Sequence, residues 1–221
     1  MRLNRAQNSI LALVAATAIA ACQPIAAPAT PPPTLAANQT PGPTPFEKWP
    51  RPADTLAKTV ATGLEPETVE HLQNHVHAHL DVFIDGAGVI IPGGIGINID
   101  DPNVQSGPDG RGGVSYGGIT GCAQPCISPL HTHDTSGVLH TESATSDLNT
   151  LGEFFDEWGV ALTTTCVGEY CTPAKPIAIY IDGTQFNGDP REIQLSDHRE
   201  IAIVIGTPPA VIPKTGDFSQ A

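Results

Sequence analysis

Basic residues are scarce in this chain of 221 residues: 10 Lys+Arg stand against 23 Asp+Glu, for a formal net charge of -13. Proteins hold phosphate backbones through clustered positive charge, so this balance excludes nucleic acid as an expected partner. Methionine occurs once, at position 1, which argues against a Cu(I) shuttle of the methionine type. No apolar stretch beyond the first segment approaches the about 20 residues needed to span a bilayer. Proline, glycine and histidine are plentiful, at 22, 22 and 8. The prolines are unevenly placed, with ten of them between Gln23 and Asp54.

Arg2 and Arg5 precede the apolar run from Ile10 to Ala21, the pattern of a secretory signal peptide over residues 1–21. Its end, Ile19-Ala20-Ala21-Cys22, resembles the lipobox of bacterial lipoproteins. That resemblance implies cleavage before Cys22, acylation of Cys22, and a membrane partner reached through the lipid anchor. Residues 22–64, with Pro31-Pro32-Pro33 at their heart, read as an extended tether. Residues 65–208 then form a single His-rich domain, and 209–221 a flexible tail. The expected location is the cell envelope. With Cys22 set aside, Cys122, Cys126, Cys166 and Cys171 are an even set in an oxidising compartment and read as disulfides. Three connectivities are open, and a four-cysteine zinc site is disfavoured by the spacing.

Period-two alternation from His75 predicts a strand, and Asp85-Gly86-Ala87-Gly88 a turn into a returning strand over 89–97. Residues 98–121 read as a long Gly-rich insertion. Its Asp100, Asp101, Asn103 and Asp109 miss the spacing of a calcium loop, so they are taken as solvated. A second hairpin runs through Leu130 to Glu142, turning at 134–137. Thr150 and Glu153 form a capping box for a helix whose Leu151, Phe154, Phe155 and Trp158 share one face, closed by Gly159. Two more strands cover 176–183 and 201–206. The predicted class is α+β, with a small, mostly antiparallel or mixed sheet and one short covering helix, in an order that resembles a β-grasp.

The histidines carry the chemistry. On a strand, i, i+2 and i+4 share a face, so His75, His77 and His79 form one row, His131 and His133 another, and His140 pairs with Glu142. Pairing across the 134–137 turn sets these last two groups side by side. Clustered imidazoles are the usual ligands of zinc and copper. The expected metal residues are therefore His75, His77, His79, His131, His133, His140, Glu142 and Asp134, and the expected cofactor is Zn or Cu. His71 and His198 stand outside the pattern.

Three blocks, His75 to Leu80, Cys126 to Glu142 and Thr150 to Gly159, resemble a family of bacterial exported proteins and lipoproteins. Its members share H-x-H-x-H-L, L-H-T-H-D-x-S-G-x-[IL]-H-x-E and T-L-G-x-F-F-x-x-W-G. The resemblance implies shared sites without naming a reaction. Three function classes follow: a lipid-anchored metal-binding domain, a hydrolytic enzyme with a three-His metal, and an envelope binding module without metal.

Overall fold

The structure is a computed structural model and describes residues 43–219. The predicted signal peptide, Cys22 and the first part of the tether lie outside the described residues. In chain order the elements are β1 (Phe46–Glu47), α1 (Thr55–Thr62), β2 (Asn74–Ile84), β3 (Ala87–Ile90), β4 (Gln105–Pro108) and β5 (Val114–Gly117). They continue as β6 (Leu130–His131), β7 (Val138–Ser143), α2 (Leu151–Trp158), β8 (Cys166–Val167), β9 (Tyr170–Cys171), β10 (Ile177–Ile181), β11 (Thr184–Phe186) and β12 (Glu200–Ile205). The class is the expected α+β around a mixed sheet of eight strands, with two helices where one was predicted. The β-grasp comparison stays an analogy.

β2 organises the sheet because its 11 residues are long enough to serve three partners. Along one edge, Val82–Ile84 pairs antiparallel with β3 and Asn74–His79 pairs antiparallel with β7. Along the other edge β12 runs parallel to it. β12 is buried at every position, which fits its nearly unbroken apolar run, Ile201 to Ile205. Asp85-Gly86 and Asp182-Gly183 both take positive φ and join β2 to β3 and β10 to β11 as two-residue turns. Asp-Gly is the residue pair that such turns favour. Its second occurrence closes a β10–β11 hairpin at the end of the strand expected over 176–183.

α2 forms as its sequence predicts. The Thr150 side chain accepts from the Glu153 N–H and the Glu153 carboxylate accepts from the Thr150 N–H, closing the capping box. Leu151, Phe154, Phe155 and Trp158 are buried against the sheet, each worth about 1.5–3 kcal/mol of burial.

The tether boundary drawn at residue 64 is too late. β1 pairs with β3, and α1 packs on α2. The anchor is Trp49, whose ring meets Trp158 edge-on at 5.7 Å and whose carbonyl accepts from Trp158 Nε1–H. An aromatic in an otherwise Pro-rich stretch was the missed signal. The tail is also structured as far as Ser219: Phe218 packs on His198 at 4.7 Å between ring centres, and Asp217 meets Arg111. The insertion at 98–121 contains the hairpin β4–β5 rather than irregular chain alone.

α2 also carries a buried acid toward the histidine region. Glu157 is fully buried, and its Oε1 accepts from Ser128 Oγ at 2.5 Å. Burial pushes its carboxyl up from 4.5 to about 8. A raised folded pKa means the stabilisation is complete below the unfolded value of 4.5 and is lost as pH rises through about 8. Denaturant titrations of Glu157→Gln should therefore lack a decline in stability between about pH 5 and about pH 9 that the native chain shows. Identical pH profiles for the two proteins would contradict this.

Candidate metal centre

Strand register assembles the centre. β7 lies between β2 and β6, and His140 stands opposite His77 on one side and His131 on the other. Neighbouring strands are about 4.7–4.9 Å apart, and the rings keep a similar spacing: His77 to His140 is 4.5 Å and His131 to His140 is 5.3 Å. One step along, His75 is opposite Glu142. His133 follows β6 and turns back, placing its ring 4.7 Å from His131 and 4.4 Å from His140. Two overlapping groups result, His75/His77/His140/Glu142 and His131/His133/His140/Glu142, each with ligand atoms within 4.8 Å of one another.

The decisive detail is the pair His131 and His133. His131 Nδ1 is 2.9 Å from the Ser128 carbonyl, and His133 Nδ1 is 2.5 Å from the Tyr116 carbonyl. A carbonyl only accepts, so both Nδ1 atoms carry the proton and donate. A neutral imidazole has one N–H, which leaves both Nε2 atoms as bare lone pairs. These two atoms face each other at 3.2 Å. With both rings neutral, neither can donate to the other, and a cation between them would satisfy both lone pairs. Two nitrogens at about 2.0–2.1 Å from a tetrahedral zinc stand about 3.3–3.4 Å apart. The observed spacing fits that edge. Backbone carbonyls fixing the tautomer of a ligating histidine are the usual outer support of such sites.

Burial disfavours the charged form of three of these imidazoles. Burial pushes His131 well below its ordinary pKa, and the neighbouring His133 and His140 add to the effect. His140 is lowered in the same way, by burial and then by His133 and His77. His77 is lowered by burial and by His75. Glu142 brings the negative charge: its Oε1 is 3.2 Å from both His75 Nε2 and His140 Nδ1. Glu142 Oε2 and His77 Nε2 are buried without a hydrogen-bond partner. Unpartnered buried polar atoms cost about 1–3 kcal/mol each in a dry site, and a metal ion would relieve both. Glu70, which the sequence reading did not single out, belongs to the same neighbourhood. Its Oε1 is buried and unpartnered, and burial together with the charge of Glu142 raises its pKa, while His133 and His75 oppose the rise.

Two expected ligands lie elsewhere. His79 shares the face of His75 and His77, yet both its ring nitrogens are taken: Nδ1 by Glu200 at 2.8 Å and Nε2 by the Ser136 carbonyl at 2.9 Å. Both ring nitrogens are thus occupied, and the carboxylate partner favours the charged form of the ring. Burial opposes that charge, but the Glu200 hydrogen bond and the charges of Glu200 and Asp81 outweigh it and raise the pKa. His79, Asp81 and Glu200 form a third group whose ligand atoms lie within 4.8 Å of one another, and in it His79 is paired with the buried Glu200. Asp134 accepts the Ser136 N–H at 2.7 Å and shapes the turn into β7. The cysteines pair locally, Cys122 with Cys126 and Cys166 with Cys171. Cys126 sits in a small apolar cluster with Ile97, Ile119 and Ile127, just before the segment that carries Ser128 and His131.

The insertion has a structural task. Tyr116 on β5 donates its N–H to the His133 carbonyl and accepts from His133 Nδ1, so the β4–β5 hairpin orients one ligand. Asp109 holds that hairpin by accepting from Thr135 Oγ1 and from the Arg111 and Gly113 N–H groups. Chiefly through the Thr135 hydrogen bond, its carboxyl falls to about 2. Asp109 is therefore a latch, where the sequence suggested a solvated side chain.

The chain matches no family model, no curated protein and no solved structure. The site's own geometry must therefore carry the functional reading.

Gly96 tests how tightly the centre is built. It has a φ of +75°, and a Cβ there would lie 2.5 Å from the Leu130 carbonyl oxygen and 2.9 Å from His131 Cβ. Gly96→Ala should lower stability by about 1–3 kcal/mol in a denaturant titration and weaken zinc binding in a chelator competition. Native values for both quantities would show that β6 is not held as described.

Proposed function

We propose that this is an exported, lipid-anchored envelope protein that binds zinc or copper through His131, His133, His140 and Glu142, with His75 and His77 beside them. The supporting observation is the pair of Nε2 atoms facing each other at 3.2 Å while both Nδ1 atoms lie within hydrogen-bond distance of backbone carbonyls. The donors are imidazole and carboxylate, and the four cysteines among the described residues are in disulfides. That set suits Zn(II) or Cu(II) and not a thiolate- or thioether-seeking ion.

Two disulfides fit an oxidising, extracytoplasmic compartment. No helix among the described residues is long and apolar enough to cross a membrane. Attachment through acylated Cys22 supplies the membrane contact in this reading, and the acidic balance of the chain favours a cation as its partner over a polyanion.

Protein extracted from the membrane fraction in detergent, without added metal, should carry zinc or copper by elemental analysis. His131→Ala combined with His133→Ala should lower that content, and affinity in the native chain should fall on acidification as protons compete for the imidazoles. An unchanged metal content in the double variant would overturn the ligand assignment, and recovery of the chain only in the soluble fraction would overturn the anchor.

A further inference from the structure

The two ligand groups share His140 and Glu142 but differ in their histidine pairs: His131/His133 in one, His75/His77 in the other. A single ion satisfies the first pair and leaves the second unexplained. His77 Nε2 is buried with no partner, and the His75 ring meets the His77 ring at 4.5 Å. Glu142 is drawn two ways. Its Oε1 lies 3.2 Å from His75 Nε2 and 3.2 Å from His140 Nδ1, while Oε2, in a residue 5% exposed, is buried and unpartnered. One carboxylate with one oxygen at the junction of both groups and the other free is placed to bridge. A second carboxylate stands by: Glu70 feels the charges of Glu142, His133 and His75, and its Oε1 is likewise buried and unpartnered.

We propose that the centre is dinuclear: one divalent ion held by the His131/His133 pair, a second by the His75/His77 pair, and the Glu142 carboxylate bridging them. This rests on the metal-binding reading of the same residues. His140 lies between the pairs, with its ring 4.5 Å from His77 and 4.4 Å from His133. Two-metal sites keep their ions about 3.5–4 Å apart, a separation that a carboxylate bridge spans. The His75/His77 pair is more exposed than the His131/His133 pair, so the second ion would be the more exchangeable one.

Zinc stoichiometry of the full chain, stripped with chelator and titrated with Zn(II), tests this. The native chain should bind two ions, His75→Ala with His77→Ala should bind one, and His131→Ala with His133→Ala should bind one. Glu70→Gln should weaken the second ion about 10-fold or more, within the range seen when supporting groups of metal sites are lost. Circular dichroism melts on each variant establish that it is folded. Saturation of the native chain at one ion, or loss of all binding in a folded His75/His77 variant, would overturn the dinuclear centre while leaving metal binding intact. No zinc bound by the native chain would instead defeat the metal reading itself.

Discussion

Two imidazole lone pairs held face to face inside a folded protein are the constraint around which the rest of this structure is arranged. The fold pays for that contact from both sides. Ser128 and Tyr116 fix the tautomers of His131 and His133 through backbone carbonyls, and each carbonyl is itself held in place. Ser128 is tied to Glu157 on α2, and Tyr116 belongs to a hairpin latched by Asp109 and Thr135. Burial denies His131 the easy escape of taking up a proton. Repulsion that is supported this thoroughly makes physical sense as one half of a coordination shell.

Register does the remaining work. β7 is matched to β2 so that His140 lies against His77 and Glu142 against His75, and to β6 so that His140 lies against His131. A slip of one residue would turn His140 and Glu142 to the opposite face. The hydrophobic pattern prevents it, since Ala78, Leu80, Leu130 and Leu139 are all buried in the core. Core packing and ligand placement are thus the same event seen from two faces of the sheet. His79, two residues beyond His77 on that face, shows how local the effect is: a buried Glu200 on the parallel neighbour β12 takes its ring into an ion pair.

What could be read from the chain beforehand was what depends on short-range pattern. Alternation in His75 to Leu80, the turn at 134–137 and the Thr150–Glu153 capping box each declare themselves within a dozen residues, and with them the clustering of His131, His133, His140 and Glu142. What could not be read depends on contacts between distant segments. Glu200 claims His79 across 121 positions, Tyr116 orients His133 from within a Gly-rich insertion, and Trp49 brings the end of the tether into the core through Trp158. Glu70 carries no motif at all; only its placement beside Glu142 gives it meaning. In the cysteines the even count pointed to disulfides, while the choice among three pairings needed the folded chain.

The most direct test of this account is long-range nitrogen-15 correlation NMR of the histidine side chains, before and after one and then two equivalents of Zn(II). The metal-free protein should show His131 and His133 both protonated on Nδ1, the tautomer less favoured in water, and the Nε2 resonances of both should move when zinc is added. An Nε2–H tautomer at either residue, or Nε2 resonances that stay in place with zinc present, would contradict the central claim.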